Sequence, residues 1–321
     1  MGIDDPHLEK IKHQNIQLVF ILGFHRSGTS ILYKMLTATG CFNPVTAYHI
    51  INYETLIDTH LHNKTKEAQR HLTDTFKQHG LDDRAIDTLQ VTADFAEEYG
   101  FLLDRYSNTM KLSPSNIDVF TTLCQKIQFL AENNKPILVK NPYDFSNFLF
   151  LKKRFPQAKF IFIHRHPFKT ISSTINAMHV LLQQKNYYTT QLSKTYTKIY
   201  ENPLLLLPLR MLFSHLSVFS CMLLTMYTAH GTRYYLRNIN KLTADDYISI
   251  TYDELCAHPE KIISEILKKL HLTTEHKISY DTFIRSRKTD LHPSVVVLQS
   301  FIYRSMKRYC STFSYTKDAV E

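Results

Sequence analysis

The sequence predicts an α/β fold: a three-layer, P-loop-type parallel sheet flanked by helices, with a large helical insertion after the first helix. Short apolar runs stand at 17–22, 136–140, 159–164 and 247–251 and alternate with segments of helical spacing. Strands separated by helices imply parallel pairing with right-handed crossovers, and such sheets gather their ligands beyond the carboxyl ends of the strands. The first run feeds the turn GFHRSGTS, residues 23–30, which opens onto a helix patterned by Ile31, Leu32, Met35 and Leu36.

A strand entering a glycine-bearing turn and then a helix aims backbone N–H groups and the positive end of the helix dipole at an anion. Gly23, Gly28 and Ser30 satisfy the frame G-x-x-x-x-G-x-[ST]. The lysine that should reach the β and γ phosphates of a triphosphate is replaced by Thr29, and the nearest cation is Arg26. The loop is therefore expected to hold an anion other than the triphosphate of ATP. Glycine is scarce, 7 in 321 residues against a usual share of about 7%, yet two fall in this loop. A turn with no ligand is the plain alternative, and the arginine and the hydroxyls of the loop weigh against it.

Beyond the first helix, residues 44–112 read as mostly helical, with no convincing strand, an insertion over the sheet edge. Ser113-Pro114 reads as N-cap and first-turn proline of a helix through Ile117, Phe120, Cys124, Ile127 and Leu130 that ends at Asn133-Asn134. After the strand 136–140, Asn141-Pro142 opens a helix through Phe148 and Leu151 to Arg154. The later strands end at His164 and Thr251, so Gly23, Lys140, Arg165 and Tyr252 all follow or close a strand. Residues 185–202, rich in tyrosine and lysine, read as a mobile loop, and 286–308 as a basic, irregular tail. At about 150 residues per domain the length suggests two domains, but the strands are spread along most of the chain. A single domain over 1–321 is expected, with a core of 16–43 and 136–270, an insertion at 44–135 and a tail at 271–321.

The apolar and charged contents, 44% and 21%, are those of a globular protein. A net charge of +9 beside 17 histidines favours anionic ligands, nucleic acid or an acidic membrane face. No Lys/Arg block of nucleic-acid type is present, so the charge is read as serving a small anionic ligand and nucleic acid is not expected as a partner. The 5 cysteines are odd in number and never form a C-x-x-C pair, the usage of a reducing compartment, and a cytoplasmic location is expected. His60-Leu61-His62 and His164-Arg165-His166 lack a cysteine or carboxylate cluster at ligand spacing, so no metal is expected. The first residues carry no apolar core or cleavage site, and the chain is expected to begin at Met1 without a secretory signal. Residues 204–226 are long enough to test as a membrane span, but Pro208, Arg210 and His215 interrupt them. A buried or interfacial helix is expected there, which leaves room for peripheral membrane contact.

Arg165 closes a buried strand and Ser173 lies about two helical turns beyond it. Both are placed to face one pocket, the arginine with a planar fork for a phosphate and the serine with an orienting hydroxyl. GFHRSGTS after one strand, with IHRHP-x5-S after a later one, resembles the sulfotransferases that use 3′-phosphoadenosine 5′-phosphosulfate (PAPS). The resemblance implies that Arg26, Ser27, Gly28, Thr29 and Ser30 hold the 5′ side of that cosubstrate, and Arg165 and Ser173 the 3′-phosphate. LVKNP at 138–142 and ITYDELCAHPEKIISEIL at 250–267 resemble the same family, in particular its protein-tyrosine and broader bacterial-type branches. They imply that Lys140 approaches the transferring group and Tyr252 contacts the adenine. The sequence departs from the family at Lys169, where many members carry aspartate, and at Ala47-Tyr48-His49, where acids are often found. The Arg-Lys-Gly run that closes over the 3′-phosphate has no clean counterpart, and Arg285, Arg287 and Lys288 are its candidates.

Sulfuryl transfer is expected as an in-line displacement in which an acceptor hydroxyl attacks sulfur and adenosine 3′,5′-bisphosphate leaves. By analogy with phosphoryl transfer, positioning and charge stabilisation do most of the work, and the chemistry requires no metal. Arg26 and Lys140 take the cationic role, and His49 is the expected base because imidazole titrates near neutrality, with Glu54 in reserve. Residues 204–226 with Tyr187, Tyr188, Tyr196 and Tyr200 offer an apolar, aromatic lining for a small acceptor, lipid-like or phenolic, with a sugar or a peptide tyrosine as the other options. An atypical P-loop kinase and a non-catalytic nucleotide or anion sensor are the rival readings.

Overall fold

Four of the five strands are the apolar runs of the sequence, and all five pair in parallel. The computed structural model describes residues 2–81, 91–214, 217–274, 276, 278–284 and 290–317. In chain order the strands are β1 (Leu18–Leu22), β2 (Asn43–Pro44), β3 (Ile137–Lys140), β4 (Lys159–His164) and β5 (Tyr247–Thr251). Their order across the sheet is β2-β3-β1-β4-β5. The first half of the helices comprises α1 (Thr29–Ala38), α2 (Ala47–Ile51), α3 (Leu56–Leu61), α4 (Thr65–Gln78), α5 (Gly100–Ser107), α6 (Ile117–Ala131), α7 (Phe148–Arg154) and α8 (Pro167–Gln183). Then come α9 (Tyr187–Leu192), α10 (Lys194–Glu201), α11 (Pro203–Leu212), α12 (Val218–Asn238), α13 (Tyr252–Ala257), α14 (Pro259–Lys269), α15 (Pro293–Ser305) and α16 (Lys307–Thr312).

The three layers follow from the period of two along a strand. Leu18, Phe20 and Leu22 of β1 face one side, where Phe120 and Leu123 of α6 and Phe148 and Leu151 of α7 cover them. Val19 and Ile21 face the other, against Leu32, Met35 and Leu36 of α1 and Ile262, Ile263 and Ile266 of α14. Every residue of β1 is buried, as a strand covered on both faces must be. From β1 the chain first builds β2 and β3 on one flank, then crosses to β4 and β5 on the other. The carboxyl end of β1 is thus the switch point of the sheet, where an open parallel sheet leaves a crevice for ligands.

The structure corrects several elements of the sequence reading. Residues 44–112 hold a strand end: Asn43 and Pro44 pair with Ile137 and Leu138. An Asn-Pro pair reads as a turn, yet proline is tolerated on an edge strand, which is where β2 lies. The helix assigned to Ser113-Pro114 begins after Asn116, and Ser113 donates its N–H to Asn116 Oδ1 (2.8 Å) in the turn before it. It ends at Ala131, where Glu132 turns left-handed with φ 50°. Residues 185–202 are helices α9 and α10, not a mobile loop. The side chains of Asn186, Ser193 and Asn202 each accept a backbone N–H at the start of α9, α10 and α11 in turn. Buried Asp104 of α5 then accepts from Ser193 Oγ (2.9 Å) and the Thr195 N–H (2.9 Å), pinning α10 down. Much of 286–308 is helical too, for Pro293 opens α15 and Val295 and Ile302 bury its inner face. Arg285, Arg287 and Lys288 lie outside the described residues.

The carboxyl-terminal helices are tied to the sheet through His164, the last residue of β4. Its ring stacks on Phe313 (centroids 3.9 Å apart) and its Nδ1 lies 3.1 Å from Tyr309 Oη of α16. Burial pushes the His164 pKa down from 6.5 to about 3. The unfolded chain therefore takes up a proton near pH 6.5 that the folded chain refuses until about pH 3. Stability should be fully present above about pH 6.5 and fall as the pH drops from there towards 3. Urea unfolding across that range should show His164→Phe, which keeps the stacked ring, with a shallower acid limb than the parent. Coincident limbs would overturn the assignment.

Candidate active site

A cavity of about 1870 Å³ opens at the carboxyl ends of the central strands, and Arg26, Gly28, Thr29 and Ser30 of the first loop line it. Gly28 has φ 100°, in the region where side chains are strained. A Cβ on Gly28 would stand 2.3 Å from the ring of Tyr252, and one on Gly23 would stand 2.6 Å from Ser27 Oγ. Arg26 also turns left-handed, with φ 65°. A non-glycine residue there costs roughly 1–2 kcal/mol, strain that the packing around the loop has to offset. Helix α1 starts at Thr29, so its first N–H groups have no acceptor within the helix. Ser27 takes a different part: its hydroxyl (2.7 Å) and N–H (3.1 Å) both donate to Phe24 O, inside the turn.

The second anchor meets the first. Arg26 Nε donates to Ser173 Oγ (3.0 Å), and Arg165 Nη1 donates to the carbonyl of Arg26 (2.7 Å). The Arg165 guanidinium lies over the Tyr252 ring, 4.3 Å from its centroid. Arg165 Nε is buried with no hydrogen-bond partner among the described residues. Tyr252, whose phenol burial pushes up to about 12, stays neutral and presents its ring to the cavity rim beside Gly28. Arg26, Gly28, Arg165, Ser173 and Tyr252 thus form one contiguous group, although the chain separates them widely.

A lysine of the neighbouring strand stands against the loop. Lys140 ends β3 next to Ile21 in register, and its fully buried ammonium donates to Ser30 Oγ (3.0 Å). It also lies 3.5 Å from Glu98 Oε1. Glu97 and Glu98 both line the cavity. They are held there by a backbone seam in which Ala47 donates to Phe95 O (2.8 Å), Tyr48 to Ala93 O (2.9 Å) and Glu97 to Val45 O (3.1 Å). Tyr33 of α1 secures the other side of that seam, donating to Leu138 O (2.7 Å) and accepting the Val45 N–H (2.6 Å).

The model of the sulfotransferase family matches residues 18–204, more than half of the chain. The chain belongs to the sulfotransferase family. Sulfotransferase STF9 from Mycobacterium avium shares its fold, with a TM-score of 0.67 at 15% identity over 98% of this chain and 80% of that one. For sulfotransferase STF1 from Mycobacterium tuberculosis H37Rv the TM-score is 0.58, at 16% identity over 96% of this chain and 80% of that one. No curated protein matches the chain.

Four sequence-derived candidates of this sulfotransferase, Ser27, Lys140, His49 and Glu54, are outside the cavity lining, the first two buried within the loop and strand described above. His49 caps α2: its Nδ1 accepts the Thr46 N–H (3.1 Å), and loss of hydration pushes its pKa down to about 4. Glu54 accepts the Tyr106 hydroxyl on another part of the surface. Of the four tyrosines proposed as acceptor lining, Tyr196 alone reaches the cavity. Tyr188 is packed against Phe76 and Phe95, Tyr187 stacks on His79, and Tyr200 donates to Leu181 O. Sequence reading missed Glu97 and Glu98. Their signal was a pair of acids between aromatics, Phe95 and Tyr99, both of which are buried. Gly28→Ala in this sulfotransferase should cost about 2 kcal/mol or more, since the φ strain adds to the collision with Tyr252. Gly80→Ala is its control: φ is 65° there, but nothing stands within 4 Å of the added Cβ. Thermal unfolding should rank Gly28→Ala well below Gly80→Ala, and equal losses would contradict the close approach.

Proposed function

We propose that this sulfotransferase transfers the sulfuryl group of PAPS to the hydroxyl of a small, largely apolar acceptor. The observation that carries the reading is the contact of the two anion loops, Arg26 Nε on Ser173 Oγ and Arg165 on the Arg26 carbonyl. A ligand with separated anionic groups on an aromatic base fits such a pair of loops flanked by a ring. The donor set suits it: two guanidiniums, hydroxyls of Thr29, Ser30 and Ser173, and a helix N-terminus, with the buried Arg165 Nε open to an acceptor. In this reading Arg26, Gly28, Thr29 and Ser30 hold the 5′ side, Arg165 and Ser173 the 3′-phosphate, and Tyr252 the adenine. PAPS supplies the activated sulfuryl group.

The chain supplies position, charge and a base. Lys140, held against Ser30, places a desolvated positive charge behind the loop, where it stabilises negative charge that builds up on the transferring and leaving oxygens. Glu98 is the base of the proposal. It lines the cavity, its carboxylate is beside Lys140, and it takes the proton of the acceptor hydroxyl as that oxygen attacks sulfur. His49 gives up that role, since its Nδ1 is engaged at the start of α2. The acceptor side of the cavity is walled by Phe101, Met178, Leu181, Leu209, Phe213, Leu224 and Tyr227, which favours an alcohol or phenol of apolar character.

Calorimetry should show adenosine 3′,5′-bisphosphate binding without magnesium and more tightly than ATP or GTP, with Arg165→Ala weakening it about tenfold or more. A preference for ATP with magnesium would overturn the reading in favour of a kinase. Given turnover on a panel of alcohols and phenols, Glu98→Gln should lower kcat by about 10²–10⁴ with bisphosphate affinity retained, whereas His49→Ala should leave kcat near that of the parent. A Glu98→Gln enzyme of normal kcat would remove Glu98 as the base.

A further inference from the structure

Helices α11 and α12 turn large apolar side chains outward. Leu204 is 83% exposed, Met211 75%, Phe219 74% and Met226 64%. Leu207 on α11 and Leu223 on α12 fill the helical spacing between them and are exposed as well. A helix on a water-facing surface carries its apolar stripe inward. The amino-terminal half of α12 does the reverse, burying Ser220, Cys221, Thr225 and Thr228 while Phe219, Met222, Leu223 and Met226 face out. The inward hydroxyls are not stranded, for Ser220 Oγ donates to Ser217 O (3.1 Å) and Thr225 Oγ1 to Cys221 O (2.7 Å). The outward apolar stripe is thus a stable arrangement of this helix, and a patch of that kind marks a binding surface.

The same two helices form part of the cavity wall. Leu209 and Phe213 at one end and Leu224 and Tyr227 at the other line the cavity, so the helices that carry the outward apolar side chains also carry part of its apolar lining. Charge indicates what covers the patch. Between residues 166 and 240 the chain carries seven Lys or Arg and a single acid, Glu201. Lys185, Lys194, Lys198, Arg233 and Arg237 are exposed. Two copies of so cationic a region repel when brought face to face, whereas an anionic lipid surface complements it and accepts apolar side chains at the headgroup boundary. Among the described residues no helix is long and apolar enough to cross a membrane, so the contact lies on the surface.

We propose that the outward faces of α11 and α12 seat this sulfotransferase on an anionic bilayer, so that the cavity draws an alcohol or phenol of lipid character from the membrane. The choice of acceptor rests on the sulfuryl-transfer reading above; the docking does not. The test is flotation of the full chain with vesicles of phosphatidylcholine alone and of phosphatidylcholine with roughly one-third phosphatidylglycerol. Binding to the mixed vesicles is expected, weakened by salt. Phe219→Ser with Met226→Ser, and separately Leu204→Ser with Met211→Ser, should each reduce the partition coefficient about tenfold or more. None of these four residues lines the cavity, so bisphosphate binding by calorimetry should stay unchanged and also report that the variants are folded. Arg233→Glu with Arg237→Glu gives a second route that leaves the apolar patch intact and should weaken binding to the anionic vesicles alone. Absence of vesicle binding, or binding indifferent to all three variants, overturns the proposal. So does a concentration-dependent dimer that the serine variants break, which makes a second copy the occupant. Vesicle binding without bisphosphate binding would uphold the docking and sink the sulfuryl reading by itself.

Discussion

The site depends on one close approach, that of the Gly28 backbone to the ring of Tyr252. Any side chain at position 28 would collide with that ring. The contact brings the loop after β1 against the residue that follows β5, across the intervening strand β4. Arg165 at the end of β4 stacks on the same ring and holds the Arg26 carbonyl, so three strand ends are clamped through one phenol. With the loop held this way, the strained φ of Arg26 is tolerated and its guanidinium reaches Ser173. A bulkier residue at 28, or a smaller one at 252, would release the whole set.

A second constraint is electrostatic. Lys140 is fully buried, and a lone ammonium in that position would be strongly disfavoured. Ser30 and Glu98 make it tenable, and in doing so they link the phosphate-type loop to the acid of the cavity. Position 29 carries no lysine, and the positive charge held against the loop comes from the neighbouring strand. The acid is brought in by backbone pairing: the seam between 45–48 and 93–97 carries Glu98 to the site and leaves its side chain with Lys140 as ion-pair partner.

The same sheet geometry explains the division between core and surface. Strands β1, β3 and β4 are apolar on both faces because helices cover both, and those runs read clearly from sequence. Short helices capped by Asn186, Ser193 and Asn202 did not, since their polar, tyrosine-rich composition resembles a loop when the caps are not seen as caps. In α12 the usual inward apolar stripe is reversed, and a periodicity argument alone places that stripe in a core.

Consecutive residues were enough to place β1, the turn through Gly28, the start of α1, and Arg165 and Ser173 eight residues apart. All of these are local patterns, set by backbone conformations and spacings within a dozen residues. The identity of the acid beside Lys140 is not local. His49 was expected as the base for its imidazole, yet that ring is used to cap α2. Glu98 lies far along the chain and reaches the site because Thr46 and Ala96 pair as an antiparallel bridge. Such pairing across a long insertion depends on which backbone groups find partners once the core has formed. No spacing rule in the sequence encodes that, so the acid beside Lys140 became visible only in the folded chain.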